Sequence, residues 1–187
     1  MEKRRGEELK IIIIVGMPAS GKNIARTYAE ARGILYFATG DLVRKEVQKR
    51  RLEPTPANTA EISTELRGKD GLGVTHLALE KAAASGRSLV FMEGMRSWSE
   101  IELVRKKAAA ILVAFLAPKK IRLERIAARG RSDDSPERFN ERDMREIAYG
   151  TAVPIALADE YILNAGTVEE ALSALDEVMK KYGSSSL

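Results

Sequence analysis

The sequence predicts a three-layer α/β fold on a five-stranded parallel sheet, with strand order 2-3-1-4-5 and the first strand at the centre. Three observations lead there. Short apolar runs alternate with stretches of helical periodicity along the chain, the pattern of a parallel sheet covered on both faces. The first run, residues 10–15, is almost pure isoleucine, which suits a strand shielded on both sides. Between that run and the first helical stretch lies a loop carrying Gly16, Gly21 and Lys22.

Residues 10–15, 34–37, 89–92, 110–116 and 161–163 read as the five strands. Helical periodicity follows the first strand over 22–31 and the second over 40–51, where Pro54-Thr55-Pro56 stops it because proline cannot continue a helix. Residues 57–85 read as two helices broken at Gly71-Leu72-Gly73. The stretch 97–107 is helical with Ser97 or Ser99 as N-cap. Pro118 and Pro136 suit the first turns of helices over 118–128 and 136–148, and a last helix covers 168–182 before a frayed tail. With no internal repeat and no long linker, one domain over 1–187 is expected.

Composition narrows the chemistry. The chain has no cysteine, which excludes disulfides, thiolate metal sites and a thiol nucleophile together. Its charged first residues lack the apolar stretch of a signal peptide, and no apolar run is long enough to span a bilayer, so a cytoplasmic protein without membrane contact is expected. A net charge of +4 suits a partner bearing phosphates but is modest for a nucleic-acid binder, and few aromatics are present to stack bases.

Gly16-Met17-Pro18-Ala19-Ser20-Gly21-Lys22 has the spacing of a phosphate-binding loop and lies in its context, between a buried strand and a helix. Glycines let successive backbone N–H groups turn inward around a phosphate. The following helix directs its positive end at the same anion, and Lys22 reaches the terminal oxygens. The chain is therefore expected to bind ATP with Mg2+ in a P-loop NTPase fold. Asn23 occupies the place of the usual Ser or Thr metal ligand; its amide oxygen is a hard donor on a longer side chain.

After the second strand comes Thr39-Gly40-Asp41-Leu42-Val43-Arg44, at the end of the sheet where ligands bind in open parallel folds. This segment resembles the adenylate kinase family. The resemblance implies that Thr39 touches the acceptor base, that Arg44 binds its phosphate, and that residues 39–85 form a movable acceptor lobe. A capped surface helix, with Thr39 or Asp41 as the cap and Arg44 solvated, is the plain alternative. Glu93-Gly94-Met95-Arg96 ends the third strand, where an acid can hold Mg2+ and an arginine can grip a phosphate. Adenylate kinases have a similar acid, glycine and arginine here, with aspartate and one more residue. A buried acid tying two loops together is the alternative for Glu93.

Arg125 and Arg129 are four apart on one helix face, and Arg131 precedes Arg142 by eleven residues. Adenylate and uridylate-cytidylate kinases open and close their lids on such spacings. The resemblance assigns Arg125, Arg129, Arg131 and Arg142 to the transferring phosphates and 125–142 to a short lid. Arg122, Arg138 and Arg145 are expected on a solvated face, with Glu124, Asp133, Asp134, Glu141 and Glu146 as partners. The segment 158–166, with Asn164 in an Asn-x-Gly turn, resembles dephospho-coenzyme A kinases, in which such a turn lies near the ATP base. Nearly the whole chain is similar to an archaeal family of adenylate-kinase-related P-loop proteins. That resemblance implies phosphoryl transfer to a nucleotide-like small molecule, most simply a nucleoside monophosphate. A dephospho-coenzyme A kinase using Asp41 as base, and an ATP-driven switch with little kinase activity, remain alternatives. His76 and Trp98 are expected to play packing or surface roles.

Overall fold

The computed structural model describes residues 9–129 and 135–183. Its sheet has five parallel strands in the order β2-β3-β1-β4-β5. They are β1 (Lys10–Val15), β2 (Leu35–Ala38), β3 (Leu89–Glu93), β4 (Ala109–Leu116) and β5 (Glu160–Leu163). Ile11 to Ile14 are fully buried because alternate side chains of the central strand enter two different cores.

On one face, Ile11, Ile13 and Val15 pack against α2 (Thr39–Lys49), α3 (Pro56–Arg67), α4 (Gly73–Ala84) and α5 (Trp98–Lys107). On the other, Ile12 and Ile14 meet α1 (Asn23–Ala31) and α9 (Val168–Tyr182). The helices α6 (Lys119–Arg129), α7 (Pro136–Ala148) and α8 (Ala152–Ala156) fill the stretch between β4 and β5.

Most boundaries follow local chemistry. Ser97 caps α5 in a reciprocal capping box with Glu100, and Thr167 does the same for α9 with Glu170. Pro56 and Pro136 sit in first turns behind the caps Thr55 and Ser135. Helix α2 starts one residue earlier than the periodicity suggests, at Thr39, and its N-cap Ala38 supplies no side-chain bond. The short α8 has no counterpart in the sequence reading. Five residues containing Pro154 are too few to display a helical period.

Candidate functional site

The loop from Gly16 to Lys22 connects the buried end of β1 to the first turn of α1. Its curvature uses left-handed backbone at Ala19 (φ 60°) and Gly21 (φ 99°). Gly21 is required twice over, since a Cβ there would also run into the amide of Asn164. Lys22 folds back into the loop it closes, and its Nζ donates to the carbonyls of Gly16 at 2.8 Å and Met17 at 3.2 Å. Burial pushes this ammonium below its ordinary value; the carboxylates of Glu93 and Glu146 counter part of the effect, and Arg96 and Arg122 add to it. Ser20 is buried, and among the described residues its Oγ finds no hydrogen-bond partner.

Beside the loop lies a cavity of about 540 Å³ lined by Lys22, Asn23, Glu93, Arg125, Arg129 and Asn164, among others. A lysine bonded, among the described residues, only to neutral carbonyls and two arginines in the cavity wall make a donor set that fits a polyphosphate. Asn23 stands exposed at the first position of α1, and Glu93 ends β3 on the facing strand. These are hard oxygen donors suited to Mg2+. No cluster of three or more His, Cys, Asp or Glu stands ready for a metal among the described residues, so phosphate oxygens would complete such a site. Tyr36 donates to Glu93 at 2.8 Å. Burial and then the Glu93 charge hold the Tyr36 hydroxyl far above its usual range, so it stays a donor.

Asn164 is almost fully buried and acts on the loop directly: its Nδ2 donates to the Ser20 carbonyl at 2.9 Å. Arg125 ties the same parts together, donating to the carbonyls of Ala19 at 3.3 Å and Asn164 at 3.0 Å. Arg129 follows on the same helix and is exposed at the cavity wall. Arg142 is half-buried on α7. Arg131 and the Asp133-Asp134 pair lie outside the described residues.

Arg122 departs from the solvated face expected of it. It is buried, forms a two-armed pair with Asp143 of α7 at 2.6 and 2.7 Å, and donates to the carbonyl of Pro18 at 3.0 Å. The pair therefore joins α6, α7 and the phosphate loop at one point. The reason lies in packing: α7 covers the face of α6 that carries Arg122, so its charge needs a buried partner. Arg138 and Arg145 are exposed, as the sequence suggests. His76 is exposed, and Trp98 packs partly buried against the core.

The second half of the site is a cavity of about 340 Å³ beyond Glu93, lined by Thr39, Arg44, Arg96, Arg26 and Arg67, among others. The segments carrying Thr39 and Arg96 meet closely, and a Cβ on Gly94 (φ 99°) would strike the Thr39 hydroxyl. Asp41 does not cap α2. It pairs with Arg26 at 2.7 Å and with Arg44. Burial pushes the Asp41 carboxyl upward, but the hydrogen bonds from Arg26 and Arg44 outweigh it and hold the group below its ordinary value. Arg96 is held by Glu146 of α7 at 2.9 Å and lies over the Tyr149 ring. A smaller space of about 190 Å³ shares Lys22 and Glu93 with the first cavity and Glu93, Gly94 and Arg96 with the second, so Glu93 borders all three.

Sequence reasoning missed Arg26, Arg67, Arg122, Asp143 and the inward role of Glu146. Each lies on a helix whose charged residues all look alike until a neighbour covers one face.

No helix among the described residues is long and apolar enough to cross a membrane. The family model described as an AAA domain matches residues 11–154. A UPF0200 protein of Methanosarcina mazei is 38% identical over 179 residues, covering 93% of this chain and 96% of the relative. One of Thermococcus kodakarensis is 39% identical over 183 residues, covering 91% and 99%. Among solved structures, TT1252 from Thermus thermophilus superposes with a TM-score of 0.64 at 21% identity, over 94% of this chain and 98% of that one. Shikimate kinase from Acinetobacter baumannii, in complex with shikimate, gives 0.57 at 14% identity, over 95% and 96%. At these identities the structural likeness concerns the fold, which is that of P-loop kinase-like proteins. Sequence identity along nearly the full length carries the rest: the chain belongs to the UPF0200 family of archaeal P-loop proteins.

Proposed function

We propose that the chain transfers the γ-phosphoryl group of ATP to a nucleoside monophosphate, giving two diphosphates. One observation carries the reading: Glu93 borders both the cavity at the phosphate loop and the arginine-lined cavity beyond it, so a donor and an acceptor can meet within reach of Lys22. ATP bound with Mg2+ supplies the phosphoryl group and part of its charge neutralisation.

The chain's own residues do the positioning. Backbone N–H groups of the loop containing Gly16, Pro18, Ala19, Ser20 and Gly21 hold the β and γ phosphates, while Lys22 exchanges the carbonyls of Gly16 and Met17 for phosphate oxygens. Asn23 and Glu93 offer oxygens to the metal. Thr39, Arg44 and Arg96 hold the acceptor so that one of its phosphate oxygens faces the γ-phosphorus in line with the bond to the β-bridging oxygen. The new P–O bond forms as that bridging bond breaks, and the electron pair leaves on the nucleoside diphosphate. Arg125, Arg129, Arg131 and Arg142 stabilise the charge spread over the transferring group. In this reading residues 39–85 close over the acceptor, and 125–142 form a short lid.

A monophosphate oxygen is already ionised and needs no base. A hydroxyl acceptor would need one, and Asp41, paired with two arginines and held ionised, is a weak proton acceptor. This favours a phosphate over a dephospho-coenzyme A hydroxyl.

The test offers purified protein and Mg2+-ATP a panel of monophosphates, dephospho-coenzyme A, and water alone, with products identified by mass. A nucleoside diphosphate formed from the acceptor is expected. Coenzyme A, or phosphate release independent of acceptor, overturns the reading in favour of a coenzyme A kinase or a switch ATPase.

A further inference from the structure

We propose that Arg67 reads the base of the acceptor, selecting a nucleoside monophosphate with a 6-oxopurine base over one with a 6-aminopurine base. The inference rests on the acceptor reading of the 340 Å³ cavity and concerns what that cavity distinguishes.

Four guanidinium groups line this cavity, and their charges are not equally available. Arg26 and Arg44 share the single carboxylate of Asp41, and the Glu93 carboxylate that also borders the cavity acts on Arg26. Arg44, the more exposed of the two, is left the freer to take a phosphate. Arg67 differs, because its Nη1 faces the carboxylate of Glu100 at 4.0 Å, and Glu100 is buried. Its charge is therefore already balanced, and it makes a poor second phosphate site.

Glu100 leaves the Arg67 donors largely unspent. The Glu100 carboxylate takes shorter hydrogen bonds from Thr75 Oγ1 at 2.9 Å, from the backbone N–H groups of Arg96 at 2.8 Å and Ser97 at 3.0 Å, and from Ser97 Oγ at 3.1 Å. Among the described residues, the hydrogen bonding of Arg67 amounts to one long contact, from Nε to Ser63 Oγ at 3.5 Å. A partly exposed, charge-balanced fork of N–H donors in a cavity wall suits a neutral, planar acceptor edge.

The O6 and N7 atoms of a 6-oxopurine form such an edge, and a guanidinium meets them with two parallel bonds. Adenine keeps the N7 acceptor but presents its 6-amino N–H groups in place of O6, donor against donor at that position. The apolar side chains of Val43 and Val74 in the same cavity give the faces of a base something to lie against.

The test is titration calorimetry of GMP, IMP and AMP in the absence of ATP, on the wild-type chain, Arg67→Lys and Arg67→Met. The wild type is expected to bind GMP and IMP about 10- to 100-fold more tightly than AMP. Arg67→Lys keeps the positive charge opposite Glu100 but loses the fork, so it should keep its melting temperature and lose the preference. Arg67→Met should lose the preference as well. Equal or tighter binding of AMP by the wild type, a preference surviving in Arg67→Lys, or no binding of any monophosphate overturns the inference. Since no ATP is present, a GMP preference without phosphoryl transfer would sink the kinase reading and leave this one. Transfer to all monophosphates alike would do the reverse.

Discussion

Lys22 shows how much of the site is prepared before a ligand arrives. Its ammonium rests on two neutral carbonyls, which a phosphate bound in the proposed site would replace with an ion-paired contact. Lys22→Ala is expected to weaken ATP binding about 10- to 100-fold while leaving the melting temperature nearly unchanged. Titration with nucleotide beside a thermal melt checks both parts, and unaltered affinity would remove the loop from the nucleotide site. Asp41 supplies a pH argument at the same scale. Arg26 and Arg44 hold its folded pKa below the ordinary 3.8, so its contribution to stability is fully present above that value and is lost as pH falls through the depressed one. The stability difference between wild type and Asp41→Asn should therefore be constant well above the ordinary 3.8 and shrink as pH falls below it through the depressed folded value. Urea melts across that range decide it; a difference that grows on acidification would mean the pairs do not form.

At the level of elements, the buried Arg122–Asp143 pair joins α6, α7 and the phosphate loop. Taking one partner away leaves a buried charge alone, so Arg122→Met should destabilise the chain by about 3–5 kcal/mol. Replacing both, as Arg122→Met with Asp143→Leu, should recover most of that loss. The double variant still lacks the bond to the Pro18 carbonyl. If that bond positions the loop, nucleotide affinity stays low after stability returns; recovery of both together would make the pair a matter of packing alone. Arg96 and Glu146 make a second link between α7 and the site, from the acceptor side. Helix α7 is thus tied to the phosphate loop through Asp143 and Arg122, and to the acceptor side through Glu146 and Arg96.

Across the whole molecule, the two cavities open on the same end of the parallel sheet, where strands stop and loops begin. If residues 39–85 close over the acceptor, ATP and a monophosphate together should protect their backbone amides from hydrogen exchange more than either ligand alone. The central strand, buried with or without ligand, should show little change. Equal protection by single ligands, or protection spread evenly over the chain, would argue against a closing lobe.

What was legible in the sequence was whatever short stretches determine by themselves. The isoleucine run could only be a central strand, the spacing of Gly16, Gly21 and Lys22 defined the loop, and Ser97 and Pro136 marked helix starts through local hydrogen bonding and fixed backbone geometry. Thr39, Arg44 and Arg96 line one cavity because they follow strand ends, which a parallel sheet gathers on one side. The tertiary structure decided which arginine turns inward. Arg122 and Arg138 look equivalent along their helices, yet one is buried against Asp143 and the loop while the other is exposed. Asn164 reaches Ser20 from 144 residues away, and Arg122 reaches Pro18 across 104. No local pattern encodes such contacts, because the burial of a polar side chain depends on which other element covers it, and that is settled only when the layers pack.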